Sequence, residues 1–212
     1  MIDPVLYEAY LRHLLAGQRR ECMRIVDQLL AEKVPLKTLY LDLFQRSMYA
    51  VGELWEANRV SVATEHIASA ITEAMLVRVY PQLFEHPRIG RRALTSCLTN
   101  EYHQIGAKMV ADWIELQGWD SDFLGANTPR ADLLRVLEET QPRLLCLSLS
   151  LYAGLPALLD VIGEVRERHP RLEILVGGQA FRHGGRHLFA AQENVRFVPD
   201  ISQLEEILDA AA

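Results

Sequence analysis

The sequence is short of cysteine, has no excess of basic residues and contains no long apolar run, and each shortage closes off a class of protein. Its three cysteines, Cys22, Cys97 and Cys146, are odd in number and far apart, which argues against a disulfide framework and against a thiolate metal site. Lys and Arg together number 22 against 28 Asp and Glu, for a formal net charge of -6. That balance speaks against a nucleic-acid partner, whose phosphates are bound by clustered Lys and Arg, and the pairs Arg19-Arg20 and Arg91-Arg92 are too short to reverse it. No apolar stretch is long enough to span a bilayer, and Met1-Ile2-Asp3-Pro4 lacks the basic and apolar blocks of a signal peptide. The expectation is a soluble, cytoplasmic chain that engages neither membrane nor nucleic acid. There is no internal repeat and no low-complexity tract, although Ala210-Ala211-Ala212 is expected to fray. What is present is a 50% hydrophobic composition over 212 residues, enough for one substantial core or two modest ones.

Two periods divide the chain. Over residues 3–84 apolar residues return every three or four positions, which predicts four helices at 4–16, 19–32, 35–57 and 62–84. The breaks fall at Gly17-Gln18, at Lys33-Val34-Pro35 and at Asn58-Arg59-Val60-Ser61, with Pro35 in a first turn and Ser61 as an N-cap. Such short loops favour an antiparallel bundle. Residues 85–92 are polar, with Pro87 and Gly90, and read as a linker. Beyond it, strands are predicted at 93–99, 122–125, 144–150, 174–176 and 196–198, alternating with helices at 103–117, 131–139, 155–168 and 201–210. The alternation predicts an α/β domain over 93–212: a Rossmann-like, flavodoxin-like parallel five-stranded sheet with crossover helices. Sheets of this kind place ligands beyond the carboxyl ends of their strands.

Three of those strand ends carry chemistry. After the first comes Glu101-Tyr102-His103-Gln104-Ile105-Gly106, after the third Ser148-Leu149-Ser150, and after the fourth Gly177-Gly178. A neutral imidazole ligates transition metals well, and a carboxylate that accepts its other N–H fixes the tautomer and raises its basicity. His103 and Glu101 are suited to those roles.

The ordered set resembles the cobalamin-binding domains of methionine synthase, the corrinoid methyl carriers and the CarH-type photoreceptors, whose usual pattern is Asp-x-His-x-x-Gly, then Ser-x-Leu, then Gly-Gly. The resemblance implies a corrinoid whose own benzimidazole base is displaced and whose cobalt is ligated from below by His103, oriented by Glu101. It implies that Gly106 lets the backbone pass close to the macrocycle. The displaced nucleotide tail would enter a slot lined by Ser148, Ser150, Gly177 and Gly178. Two departures stand out: Glu101 replaces the commoner Asp, and Ser150 stands where Leu is frequent. Glutamate keeps the charge but adds a methylene, so its bond to His103 is either direct or through water.

In the helical half, Trp55 precedes Glu65-His66 by a Trp-x9-Glu-His spacing. This is similar to the upper-face motif of CarH-type adenosylcobalamin photoreceptors, without their DNA-binding domain. The resemblance covers nearly the whole chain and implies a bundle that caps the upper face of the cofactor. Trp55 would pack on the 5′-deoxyadenosyl group and Glu65 would bond its sugar. His66 would take the cobalt position after photolysis. It implies a light-sensing regulatory module rather than an enzyme, acting through a homo-oligomer or a protein partner, and related modules also take a bilin. Two alternatives remain open: a corrinoid carrier of a methyltransferase system, which would take methylcobalamin, and a degenerate module without cofactor. His13, His86, His169, His183 and His187 form no convincing metal set, Trp113 reads as helix packing, and Cys97 and Cys146 read as core.

Overall fold

A computed structural model describes residues 1–84, 87–190 and 192–210, with only the backbone of His183 and Ala210 described. The chain divides into two compact units, Met1–Gln82 and Leu83–Ala212.

The first unit is helical. Helix α1 (Pro4–Leu15) starts where the Asp3 carboxylate accepts hydrogen bonds from the Val5 and Leu6 amides at 2.8 and 3.2 Å, with Pro4 in the first turn, where its missing N–H costs nothing. Helix α2 (Arg19–Ala31) follows the turn at Gly17. The third rod runs without interruption through α3 (Leu36–Thr38), a π-helical stretch (Leu39–Gln45) and α4 (Arg46–Glu56). Pro35 stands at its N-cap, one position before the first helical residue. The sequence pattern did not announce the π stretch. Its wider turn carries Leu39, Tyr40, Leu43 and Phe44 to the core together. Helix α5 (Val62–Val79) is capped by Ser61, whose hydroxyl accepts from the Thr64 amide at 3.1 Å, and runs on into a 3-10 turn over Tyr80–Phe84. Helices α1, α2 and α5 pack on one another and α4 packs on α5.

The second unit is a five-stranded, all-parallel sheet in the order β2-β1-β3-β4-β5, formed by β1 (Arg92–Cys97), β2 (Asp120–Phe123), β3 (Leu144–Ser148), β4 (Glu173–Gly177) and β5 (Val195–Phe197). Helices α6 (Ile105–Leu116), α7 (Arg130–Thr140), α8 (Leu155–Arg168) and α9 (Ile201–Ala210) complete the layers. Leu and Val on the strands and on α7 and α8 form its core, with Phe181 and Phe189. Strand order reverses between β1 and β3, which makes their carboxyl ends the switch point at which open α/β sheets bind ligands.

Strand β2 begins two positions ahead of the range read from the sequence, at Asp120. The stretch read as a linker also differs. Arg92 opens β1, Ile89 donates its amide to the Gly118 carbonyl at 2.9 Å, and Arg88 bonds the Trp119 carbonyl at 2.6 Å and pairs with Glu115. A Cβ on Gly118 would fall 2.4 Å from the Pro87 carbonyl oxygen, so the approach requires glycine. Composition marked a polar connection, while these contacts fasten it to α6 and β2. Glu85 and His86 lie outside the described residues.

Candidate functional site

The sheet register brings the three motif-bearing strand ends side by side: Cys97 pairs with Ser148, and Ser148 with Gly177. Just past β1 the chain turns at Asn100, in the left-handed region at φ 68°, and buries Glu101 at 2% exposure. Asparagine tolerates that conformation better than other side chains. One oxygen of the Glu101 carboxylate accepts the His103 amide at 2.9 Å and lies 2.6 Å from His103 Nδ1. The other oxygen accepts the Ser150 and Leu151 amides at 2.7 and 3.2 Å.

The carboxylate thus ties the loop after β1 to the loop after β3. Burial alone would raise its pKa, but the His103 ring and the His103 and Ser150 amides outweigh burial and hold it below the usual carboxylate range. Glu101 therefore stays charged although it is buried. The contact with His103 is direct, so the added methylene of glutamate is accommodated without a bridging water. A neutral imidazole that donates its Nδ1–H to this carboxylate in a hydrogen bond carries its lone pair on Nε2, the form a metal ion accepts. The His103 side chain is 54% exposed.

The surrounding loops hold this geometry. The Asn100 amide donates to the Asn127 side chain at 2.8 Å, the Asn127 amide to the Glu101 carbonyl at 2.8 Å, and the Ala126 amide to the Gln104 side chain at 3.1 Å. Sequence reading missed Gln104 and Asn127, because each acts on a residue distant in the chain. It also missed an apolar rim. Tyr102, Leu151 and Tyr152, beside Glu101, His103 and Ser150 in the chain, are 65%, 50% and 48% exposed. Their adjacency to the motif residues was the available signal.

The glycines divide by role. Gly178 has φ 113°, and a Cβ there would fall 2.2 Å from the Leu149 carbonyl oxygen. Its missing side chain is accounted for by the close approach of β3's own continuation, without any ligand. At Gly177 a Cβ would sit 3.1 Å from the Val198 carbonyl oxygen. Gly106, in contrast, is exposed and has no protein atom within 4 Å of the place a Cβ would take. Ser148 and Ser150 are partly buried, and their hydroxyls make no hydrogen bond among the described residues.

Burial pushes the Cys97 thiol up to about 12, so it stays protonated at neutral pH. No group of three or more His, Cys, Asp or Glu among the described residues could hold a metal ion.

In the helical unit, Trp55 is 46% exposed near the end of α4, and Glu65 and His66 lie in the first turns of α5. They flank the turn at 57–61, where Asn58 is left-handed at φ 55°. One Glu65 oxygen accepts the Ser69 hydroxyl at 2.6 Å, and the other lies 3.6 Å from His66 Nε2. No helix among the described residues is long and apolar enough to cross a membrane.

A parallel sheet with an exposed imidazole, fixed by a buried carboxylate at its switch point, defines a cofactor-binding α/β protein. The chain belongs to the B12 binding domain family: residues 91–199 match it, and residues 6–79 match a second family that carries the same description. Cobalamin is the cofactor this membership indicates. The chain is similar to two HTH-type transcriptional repressors of Myxococcus xanthus. It is 29% identical to CarA over 132 residues, 62% of this chain and 46% of that one. It is 29% identical to CarH over 161 residues, 74% of this chain and 52% of that one. It thus spans about half the length of these curated relatives. In fold it resembles the monomethylamine corrinoid protein of Methanosarcina barkeri, with a TM-score of 0.86 over 100% of both chains at 12% identity. The methanol:cobalamin methyltransferase complex MtaBC of the same organism matches at a TM-score of 0.53 and 15% identity, over 99% of this chain and 80% of that one.

Proposed function

We propose that the chain is a light-sensing regulatory module that binds adenosylcobalamin base-off with His103 as the lower ligand of cobalt. The observation that carries the reading is the buried Glu101 carboxylate, with one oxygen on His103 and the other on the Ser150 and Leu151 amides. The rest of the site fits a large corrinoid. Tyr102, Leu151 and Tyr152 present apolar surface beside His103, Gly106 leaves open space, and Ser148 and Ser150 keep hydroxyls for the nucleotide tail.

Adenosylcobalamin supplies a cobalt–carbon bond that light breaks. In the helical unit, Trp55 offers an exposed indole to pack on the adenosyl group, Glu65 a carboxylate for its sugar, and His66 an exposed imidazole for cobalt in the light state. The likeness to CarH supports this reading. Output passes to a partner protein or through self-association, with the arrangement of the two units as the switched element.

The alternative, a corrinoid methyl carrier that takes methylcobalamin, draws support from the full-length fold likeness to the monomethylamine corrinoid protein. Absorption spectra in darkness and after green light separate the two. A shift to a bis-imidazole spectrum that His66→Ala diverts to a water-ligated form is the expected result. Refusal of adenosylcobalamin, with binding and partner-dependent demethylation of methylcobalamin, overturns it in favour of the carrier.

A further inference from the structure

At the opposite end of the sheet from His103 lies an open cleft of about 650 Å³, lined at the amino ends of β3, β4 and β5 by the turns that lead into them. Four arginines line it, Arg143, Arg168, Arg171 and Arg196, against one carboxylate, Glu173, in a chain whose net charge is -6. No two of the four are adjacent in the sequence, so the fold alone assembles them.

Two of the four are already neutralised. Arg168 pairs with Glu138 and Glu164 at 3.3 and 2.6 Å, and Arg196 with Glu173 at 3.1 Å. Arg143 and Arg171 are exposed, and their side chains have no partner among the described residues. His169, also in the lining, buries its Nε2 with no hydrogen-bond partner among the described residues. The backbone beneath is pinned. The Arg143 amide donates to the Arg92 carbonyl at 2.9 Å, the Leu172 amide to the His169 carbonyl at 3.0 Å, and the Asn194 side chain to the Pro170 carbonyl at 3.1 Å. The unpaired cations therefore stand on fixed turns, and the volume falls within the range of small-molecule sites.

Guanidinium groups bind phosphate oxygens in planar, two-pronged geometry, and several arginines around one cleft suit a ligand with more than one phosphate. Among the described residues no Phe, Tyr or Trp lines the cleft to stack a base. We infer that this cleft binds a small oligophosphate anion, recognised through its phosphate chain by Arg143 and Arg171, at a site separate from the cofactor loops. Such a ligand would stabilise the amino edge of the sheet by mass action wherever it is present.

The test is calorimetric titration of the full chain with inorganic tripolyphosphate in magnesium-free, low-salt buffer, alongside Arg143→Ala/Arg171→Ala, whose cobalamin spectrum should be that of the unaltered chain. Saturable one-to-one binding, weakened at least tenfold in the double variant, is expected. A nucleoside triphosphate of equal affinity identifies the phosphate chain as the recognised part, and a tighter one adds nucleoside contacts to the same site. The proposal is overturned if no saturable binding occurs, or if the double variant binds as tightly as the unaltered chain. It is also overturned if poly-glutamate displaces tripolyphosphate at equal charge, which would make the cleft a docking surface for acidic protein.

Discussion

The two units present their candidate histidines in opposite ways. His103 has its ring nitrogen 2.6 Å from a buried carboxylate that is itself held by three backbone amides. His66 has a side chain that is 73% exposed, with a carboxylate oxygen at 3.6 Å. A ligand that stays on the metal gains from being fixed in one orientation, since less rotamer freedom is lost on binding. One that engages conditionally gains from being loosely held. The contrast predicts that substitution of Glu101 disturbs stability and binding together, while substitution of His66 disturbs neither in the dark.

The largest effect is expected at Gly178→Ala, where both the left-handed backbone and the approach of Leu149 reject a side chain. A loss of about 4 kcal/mol, read by urea unfolding, is expected for the cofactor-free chain. Next, Glu101→Ala leaves the His103, Ser150 and Leu151 amides without their acceptor and should cost about 3 kcal/mol by the same measurement. The gentler Glu101→Gln should weaken cobalamin binding roughly 10- to 100-fold in a spectral titration, as loss of a carboxylate behind a metal-bound histidine does.

The pH dependence follows from the same group. Its pKa in the folded chain lies below the unfolded value of about 4.3, so its stabilisation is complete above that pH and is lost as pH falls through the lower folded value. Unfolding midpoints measured from pH 7 to pH 3 should fall at the acid end, and Glu101→Gln should flatten that decline. Smallest in stability are Gly106→Ala and His66→Ala, each expected within about 0.5 kcal/mol of the unaltered chain. They differ in what else they change. Gly106→Ala should weaken cobalamin binding in darkness, whereas His66→Ala should alter only the spectrum after light.

Much of the fold was legible because most elements keep one hydrophobic period along their length. Arg19–Ala31 and Leu155–Arg168 could be read almost to the residue. The π-helical stretch at Leu39–Gln45 could not, since apolar residues at 39, 40, 43 and 44 also fit an ordinary helix. The histidine and its carboxylate were legible because they lie two positions apart. The second half of the carboxylate's work was hidden, because Ser150 is 49 positions further along and offers only an amide. The double glycine could be seen, but not that Gly178 answers to Leu149, a contact only the parallel register creates.

Glu101 grips residues 150 and 151 by main-chain atoms alone, and this separates what the backbone must do there from what the side chains can do. Any residue with an N–H can occupy either position and still anchor the histidine loop. The departure at Ser150 therefore costs the Glu101–His103 pairing nothing. The side chains there can change what the pocket admits without moving the carboxylate that holds His103.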